Sequence, residues 1–211
     1  VMWVPFNEGW GQQNQTFAAD IVRKVKSWDP SRLVNNASGW TDMKIGDVVD
    51  IHAYPGPATP TNEPFRAAVL GEFGGLGLPI DGHTWVDRNN WGYVSYTSQR
   101  DLTDAYTALI SALALEIGQG LCGAVYTQTT DVEIECNGWL TYDREVWKVD
   151  PDEAARATAA LWLAPAKVQT LVPNAAQGAT LAWKWTTTDP GPGWFKDSGA
   201  SKAFDTRDVR V

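Results

Sequence analysis

The chain of 211 residues is long enough for one sizeable domain, or for one domain and part of a second. Its 44% hydrophobic and 20% charged residues are typical of a globular protein and exclude a disordered or fibrous one. The net charge of −8 argues against the basic surfaces that nucleic acids and anionic membranes require, and no apolar run approaches the roughly 20 residues that cross a bilayer.

Strand-like and helical patterns alternate along the first 163 residues, which indicates parallel βα units. The predicted strands and helices are as follows: strands at 1–6, 32–37, 47–54, 67–71 and 121–128, and helices at 17–28, 101–117 and 151–162. The helices are predicted from apolar residues that recur every three to four positions, with proline or glycine near their ends. A long loop at 76–97 lies between the fourth strand and the second helix, and loops of this length are usually functional.

Five strands with four or five helical crossovers predict an α/β fold, which we interpret as part of a (β/α)8 TIM barrel. A doubly wound open sheet is the alternative, but no glycine-rich phosphate loop follows any predicted strand. The barrel segment would cover residues 1–165, and residues 166–211 would form a linker and a truncated accessory segment of β type. Because the chain begins inside a predicted buried strand, we expect it to be a piece of a longer polypeptide.

Two glutamates, Glu8 and Glu72, each follow a short apolar strand and precede a glycine or an aromatic–glycine turn. A carboxyl group at the carboxyl end of a barrel strand points into the mouth where ligands bind. Hydrolysis of a glycosidic bond needs two such groups, because one donates a proton while the other attacks the sugar or activates water. The alternative for either residue is an ordinary surface carboxylate.

The segments FNEGWGQ at 6–12 and GEFGG at 71–75 resemble the acid/base and nucleophile segments of family 2 glycoside hydrolases, the β-galactosidase, β-glucuronidase and β-mannosidase group. The order is similar too, since in that family an Asn-Glu pair closes barrel strand four and a second Glu closes strand seven. The resemblance covers about residues 1–163 and implies that the chain holds barrel strands 4–8 with their helices. It also implies that Glu8 is the proton donor and later the base, and that Glu72 is the nucleophile. The stretch 183–194 resembles the start of a sugar-binding module that is sometimes appended to such enzymes.

Other residues near these strand ends are predicted to bind the substrate. The resemblance implies that Asn7 is the partner of the sugar 2-hydroxyl group. Tyr54 ends the third strand, where its phenol would donate a hydrogen bond to Glu72, and His52 points to the same face of that strand. Packing roles are the alternatives for both residues. Tyr126, in the fifth strand, is the nearest match to an aromatic platform that is usually Trp in the family.

The 12 tryptophans make large aromatic side chains unusually frequent in this chain. Aromatic faces stack on sugar rings, although such side chains also fill cores and interfaces. We expect one or two residues of the following set to be sugar platforms: Trp40, Trp85, Trp91 and Trp139.

No metal and no cofactor are predicted. The chain has two histidines and no His/Cys cluster, and the acidic stretch 131–135 lacks the glycine and the spacing of a calcium loop. Cys122 and Cys136 do not form a redox or metal motif, and we expect two reduced thiols, with a disulfide in an oxidising compartment as the alternative.

These observations together predict a retaining, exo-acting β-glycosidase that cleaves terminal β-linked sugars. The resemblance to the family implies a β-galactosidase-like enzyme, on the frequency of that activity in the family alone. Its expected partners are a carbohydrate substrate and the remainder of the same polypeptide, with the missing barrel strands and N-terminal domains; nucleic acid and membrane are not expected. The alternative function is a catalytically silent carbohydrate-binding barrel. Because an open five-strand remnant exposes two unpaired edges, we expect this chain alone to aggregate and to have little or no activity.

Overall fold

The computed structural model of the protein describes residues 2–163 and, further along the chain, two short strands. The strands are β1 (Met2–Trp3), β2 (Phe6–Asn7), β3 (Leu33–Val34), β4 (Ala37–Ser38), β5 (Val48–Ala53), β6 (Ala67–Gly74), β7 (Leu76–Gly77), β8 (Val94–Ser95), β9 (Leu121–Thr127), β10 (Trp185–Thr186) and β11 (Val209–Arg210). The helices are α1 (Gln15–Trp28), α2 (Gln99–Gly118) and α3 (Pro151–Ala160). The fold is therefore mixed α/β, as the alternating sequence pattern predicts.

The strands of the first unit pair in parallel and form small sheets. β1 pairs with β3, β2 pairs with β4, and β5, β6 and β9 form a three-stranded sheet in that order. The backbone N–H of Asp47 donates a hydrogen bond of 2.8 Å to the carbonyl of Val34, which places the start of β5 beside β3. The parallel strands thus follow one another in space in the order in which they follow one another in sequence.

Two of the predicted strands are interrupted. Pro5, which has no N–H to donate, separates β1 from β2, and the buried pair Asn35 and Asn36 separates β3 from β4. The predicted strands at 47–54, 67–71 and 121–128 match β5, β6 and β9, although β6 continues three residues further, so that Glu72 lies within it.

The prediction of four or five helical crossovers was wrong. The connections from β4 to β5 and from β5 to β6 contain no helix, and residues 2–163 hold three helices in all. The second connection includes four prolines, at 55, 57, 60 and 64, which supply fixed φ angles and no N–H groups. A helix there would lose several of its hydrogen bonds.

The three helices confirm the sequence prediction, with ends set by local capping. Asn14, Ser98 and Asp150 are the N-caps of α1, α2 and α3, and each side chain accepts a hydrogen bond from a backbone N–H in the first turn. The apolar face of α2 packs on β6 and β9, and Leu70 and Phe73 of β6 are at most 2% exposed. This packing fixes β6, and with it Glu72, against a rigid layer.

The segment from residue 128 to residue 149 has little regular structure and is held by a buried ion pair. The Nζ atom of Lys148 lies 2.5 Å from Asp131 Oδ1 and 3.0 Å from the Cys136 carbonyl, and both charged side chains are fully buried. The backbone N–H of Cys136 also donates to the Trp91 carbonyl, and the N–H of Trp91 donates to the Ile134 carbonyl, which ties this segment to the long loop after β7. Both cysteines are free thiols, Cys122 exposed and Cys136 buried.

The chain divides into two units, Val1–Val168 and Gln169–Val211. In the second unit, β10 and β11 pair antiparallel. The rest of the predicted linker and accessory segment at 166–211 lies outside the described residues. Among the helices within residues 2–163, none combines the length and the apolar character that crossing a bilayer requires.

Candidate active site

Glu8 is held at the end of β2 by a tight turn. Its backbone has a φ of 51°, in the left-handed region that residues other than glycine rarely occupy. The N–H of Glu8 donates to the Ser38 carbonyl at 2.7 Å, and the N–H of Trp10 donates to the Asn7 carbonyl at 2.7 Å. Such strain persists only where the surroundings enforce it, and it is frequent at functional sites.

Glu72 lies in β6, in register with His52 of β5. The phenol of Tyr54 donates a short hydrogen bond to Glu72 Oε2, as the sequence predicts. Burial, and then the hydrogen bond to Glu72, raise the pKa of Tyr54, so this phenol stays protonated and remains a donor.

His52 lies between the two glutamates. Its side chain is fully buried, and Nδ1 is 2.9 Å from Glu8 Oε1 and 3.3 Å from Glu72 Oε2. One carboxylate oxygen of Glu8 and one of Glu72 lie within 4.8 Å of each other. The two acids that lie 64 positions apart in sequence (from 8 to 72) therefore converge on one imidazole nitrogen.

Gly39 leaves the room that this convergence needs. A Cβ atom at this position would lie 3.2 Å from Glu8 Cγ and 3.3 Å from the His52 ring, and its φ of 109° disfavours any side chain. Trp40, the next residue, is 62% exposed and meets the His52 ring edge-on at 5.7 Å between centroids. Among the predicted platforms, Trp40 is thus beside the glutamates.

Tyr93 is a site residue that sequence reasoning missed. Its ring stacks in parallel on Tyr54 with 3.7 Å between centroids, and half of the side chain is exposed. Burial raises the pKa of Tyr93, and the negative charges of Glu135, Glu72 and Glu8 add to this effect, which places its phenol in the field of both glutamates. Tyr93 reaches this place because the loop after β7 returns as β8, and no periodic pattern in the sequence indicates that return.

The other predicted aromatic platforms lie in two different surroundings. Trp91 is 41% exposed and meets Tyr93 edge-on, with 5.4 Å between ring centroids. It therefore lies next to the stacked rings of Tyr54 and Tyr93. Trp85 is half-exposed and packs against Tyr142, at 4.8 Å between centroids. The structure does not bring Trp85 into contact with either glutamate.

Tyr126 and Trp139 lie in the hydrophobic core instead of at the glutamates. Both rings pack against Tyr106 of α2 with centroids 5.1 Å away, and Tyr126 also meets Phe73. Phe73 follows Glu72 in β6 and therefore points to the opposite face, which explains why Tyr126 is turned towards the helices. The next residue of β9, Thr127, has its side chain at the Tyr54 phenol.

Asn7 ends β2 directly before Glu8 and is partly buried. Its backbone carbonyl closes the turn, and its register partner is Ser38 of β4. Asn7 is therefore adjacent to Glu8, and its role as the partner of the sugar 2-hydroxyl group stays a prediction.

Within residues 2–163, two groups of three side chains have nitrogen or carboxylate oxygen atoms close enough together to bind a cation. The first is Glu8, His52 and Glu72, and the second is His83, Asp143 and Glu145. In the first group, the hydrogen bond between His52 and Glu8 and the 3.3 Å contact of His52 with Glu72 account for the proximity of the three side chains without an ion. In the second, which is largely exposed, His83 Nδ1 is 2.7 Å from Asp143. The expectation of no metal and no cofactor stays a prediction.

Comparison with known protein families and with curated proteins found no match for the chain.

Proposed function

We propose that this chain carries the catalytic pair of a retaining glycoside hydrolase that cleaves terminal β-linked sugars. The observation that carries the proposal is the approach of one oxygen of Glu8 to within 4.8 Å of one oxygen of Glu72. Retaining enzymes place their two carboxyl groups about 5–5.5 Å apart, whereas inverting enzymes leave about 6.5–9.5 Å for a water molecule. The close pair favours retention.

With this function we propose that the chain forms part of a (β/α)8 barrel, namely strands 4–8. The parallel series of strands in sequence order supports it. The positions of the glutamates also support it, because they close the first and the fourth of the strands predicted from sequence, with two predicted strands between them. Active sites in such barrels lie at the carboxyl ends of the strands, where Glu8 follows β2 and Glu72 lies near the end of β6.

In the first step, a Glu72 oxygen bonds to the anomeric carbon as the glycosidic C–O bond breaks, and the proton of Glu8 passes to the leaving oxygen. In the second step, Glu8 takes a proton from water while the water oxygen bonds to the anomeric carbon and Glu72 leaves. Tyr54 donates to Glu72 and holds the orientation of its carboxylate. His52 contacts both acids and is placed to stabilise whichever of them is negative.

The aromatic side chains around the pair fit a sugar substrate. Trp40 lies against His52, and Tyr93 with Trp91 lies against Tyr54; these three aromatic residues are 41–62% exposed. Aromatic faces stack on the C–H faces of pyranose rings, while carboxylates and hydroxyl groups bind the sugar hydroxyls. A β-galactoside is the substrate that the sequence resemblance favours.

The proposal is tested with a panel of aryl β-glycosides and the complete protein. Glu8→Gln and Glu72→Gln should each lower turnover by at least about 100-fold, because each removes a group that takes part in bond making or proton transfer. Glu133→Gln, which changes an exposed glutamate outside the site, is the matched control and should keep full activity.

Azide distinguishes the two roles. Azide should restore cleavage by Glu8→Ala with formation of a β-glycosyl azide, since the nucleophile is still present. With Glu72→Ala it should give the α product, since azide then replaces the nucleophile. Activity that survives either glutamine change would refute the assignment, and sugar binding without turnover would favour the silent binding protein instead.

A further inference from the structure

A buried aspartate, Asp50, lies behind the catalytic pair and is not explained by the two-glutamate chemistry. It is 4% exposed and precedes His52 by two residues on the same face of β5. Its Oδ1 atom accepts from the backbone N–H groups of Gly71 at 3.0 Å and Gly39 at 3.3 Å. Its Oδ2 atom accepts from Asn35 Nδ2 at 2.5 Å and from the Ser38 hydroxyl at 3.2 Å.

Four donors fill the acceptor capacity of Asp50. An ionised carboxylate offers about four lone-pair sites, and all four are occupied here. Burial raises the pKa of Asp50, and the hydrogen bonds from Asn35, Gly39 and Gly71 act in the opposite direction. A protonated Asp50 would have to donate from an oxygen that is already surrounded by donors.

Ser38 connects this carboxylate to His52. Its hydroxyl oxygen lies 2.7 Å from His52 Nε2. An ionised Asp50 can only accept, so the Ser38 hydroxyl is the donor in their 3.2 Å contact. The Ser38 oxygen is then left to accept from His52, which requires a proton on Nε2. On the other side of the ring, Nδ1 faces carboxylate oxygens of Glu8 and Glu72, and a proton on Nδ1 satisfies both contacts. Hydrogen-bond counting thus places protons on both ring nitrogens.

We propose that Asp50, acting through Ser38, holds His52 as a doubly protonated imidazolium ion that faces both catalytic glutamates. The ionisable groups around it are Glu8, Glu72, Asp50 and the phenols of Tyr54 and Tyr93. No lysine or arginine side chain forms a salt bridge with Glu8, Glu72 or Asp50 within residues 2–163, so the imidazolium supplies the positive charge at the pair.

The consequence for the reaction rests on the proposed function. The negative charge lies on Glu72 before attack and on Glu8 in the glycosyl-enzyme, while His52 Nδ1 is within 3.3 Å of an oxygen of each. One fixed cation therefore serves both steps without moving. Asp50 and Ser38 do not touch the reacting atoms and are positioning residues.

The protonation state of His52 is tested directly by ¹⁵N NMR of histidine-labelled complete protein, which does not require turnover. The His52 signals are assigned by comparison with His52→Gln. At neutral pH both ring nitrogens of His52 should have the shifts of protonated imidazolium. Ser38→Ala and Asp50→Asn should each convert Nε2 to the unprotonated form, and Ser38→Thr, which keeps the hydroxyl, should retain the wild-type spectrum. An unprotonated ring nitrogen in the folded wild-type protein would overturn the proposal.

Kinetics give a second readout if the protein hydrolyses glycosides. Ser38→Ala should lower kcat by roughly 10- to 100-fold with a smaller change in KM, the loss expected for a hydrogen bond to a charged group. Both limbs of the pH–rate profile should move to higher pH, because a positive neighbour that favours ionised carboxylates has been removed. Unchanged limbs would contradict the proposal. If no glycoside is cleaved, the proposed function fails while the NMR result still decides the charge of His52.

Discussion

At the residue scale, the site depends on a few positions where the backbone conformation and the close neighbours exclude any residue other than glycine. Gly39 is the clearest, because it combines a φ of 109° with a Cβ direction that points at Glu8 and His52. Gly82 is the matched position without close neighbours, since its φ is 80° and no heavy atom of the described part of the chain lies within 4 Å of an added Cβ. The two glycines separate backbone strain from crowding of the site.

Gly39→Ala should therefore abolish most of the activity, whereas Gly82→Ala should leave it intact. Both variants should lose about 1–2 kcal/mol of stability from the left-handed backbone. Only Gly39→Ala should displace Glu8 and His52, because its new methyl group lies 3.2–3.3 Å from them. Turnover of an aryl glycoside and urea unfolding, measured on both variants, check this; equal turnover in the two would show that the site tolerates the methyl group.

A residue of the site could be predicted from sequence when the pattern that indicates it lies within its own strand. Glu8, Glu72 and Tyr54 follow or end apolar strands, and His52 shares a face with Tyr54, so alternation along a strand was enough. The same alternation extends back to Asp50, which precedes His52 by two residues on this face of the strand. Tyr93 reaches the site through a loop whose return depends on tertiary hydrogen bonds, for example from Tyr96 N to Gly77 O.

At the element scale, helices were predictable and strand interruptions were not. The apolar pattern that predicts an amphipathic helix such as α2 is contained in its own sequence. The break between β1 and β2 lies at Pro5, and it also depends on their pairing with two different strands, β3 and β4. The segment from residue 128 to residue 149 is the extreme case, because a single buried ion pair organises it.

Lys148→Met should destabilise the protein by about 3–5 kcal/mol, because it leaves the charge of Asp131 buried without a partner. Burial already raises the pKa of Asp131, and Asp131 Oδ2 has no hydrogen-bond partner among residues 2–163. The double change Lys148→Met with Asp131→Leu should recover much of this loss, as apolar replacements of buried pairs often do. Urea unfolding of the single and double variants is the measurement, and a double variant no more stable than the single one would contradict the reasoning.

The connection between β5 and β6 carries a surface network that should make stability sensitive to acid. Arg66, with 9% of its side chain exposed, lies 2.7 Å from Asp42 and 2.8 Å from Glu63. Its hydrogen bonds lower the pKa of Asp42 well below the usual range, and together with Lys44 they lower the pKa of Glu63 to about 2. A depressed carboxylate pKa stabilises the folded state above the unfolded value of 4.5 for Glu63, and this contribution is lost as the pH falls towards 2.

Arg66→Gln should therefore lower Tm at neutral pH and flatten its fall between pH 4.5 and pH 2. Arg23→Gln, at an arginine whose side chain is 74% exposed, is the control and should leave both features unchanged. Thermal unfolding across this range measures the effect, and an equally steep acid transition in Arg66→Gln would count against the network.

At the scale of the whole molecule, one edge of the three-stranded sheet has no partner strand among the described residues. Within the described residues, β9 pairs only with β6, and Val125 on this strand is 52% exposed. Trp162 and Leu163, just after α3, are 88% and 70% exposed. An open strand next to exposed apolar side chains is a template for pairing with another chain.

We therefore expect the chain expressed alone to self-associate, and Val125→Lys to reduce this association. A lysine on the open edge disfavours pairing with a second strand. Val86→Lys, at an exposed valine in the long loop away from this edge, should have little effect. Light scattering against concentration measures the outcome, and a wild-type chain that stays monomeric would refute the expectation.

The left-handed backbone of Glu8 also has a consequence for how this sequence would change under selection. At a φ of 51°, replacement of glutamate by glycine would relieve roughly 1 kcal/mol of strain. A library of variants screened only for heat resistance should therefore be enriched in glycine or asparagine at position 8, and every such clone would lose the proposed proton donor. Screening for thermal tolerance and for turnover would push this position in opposite directions.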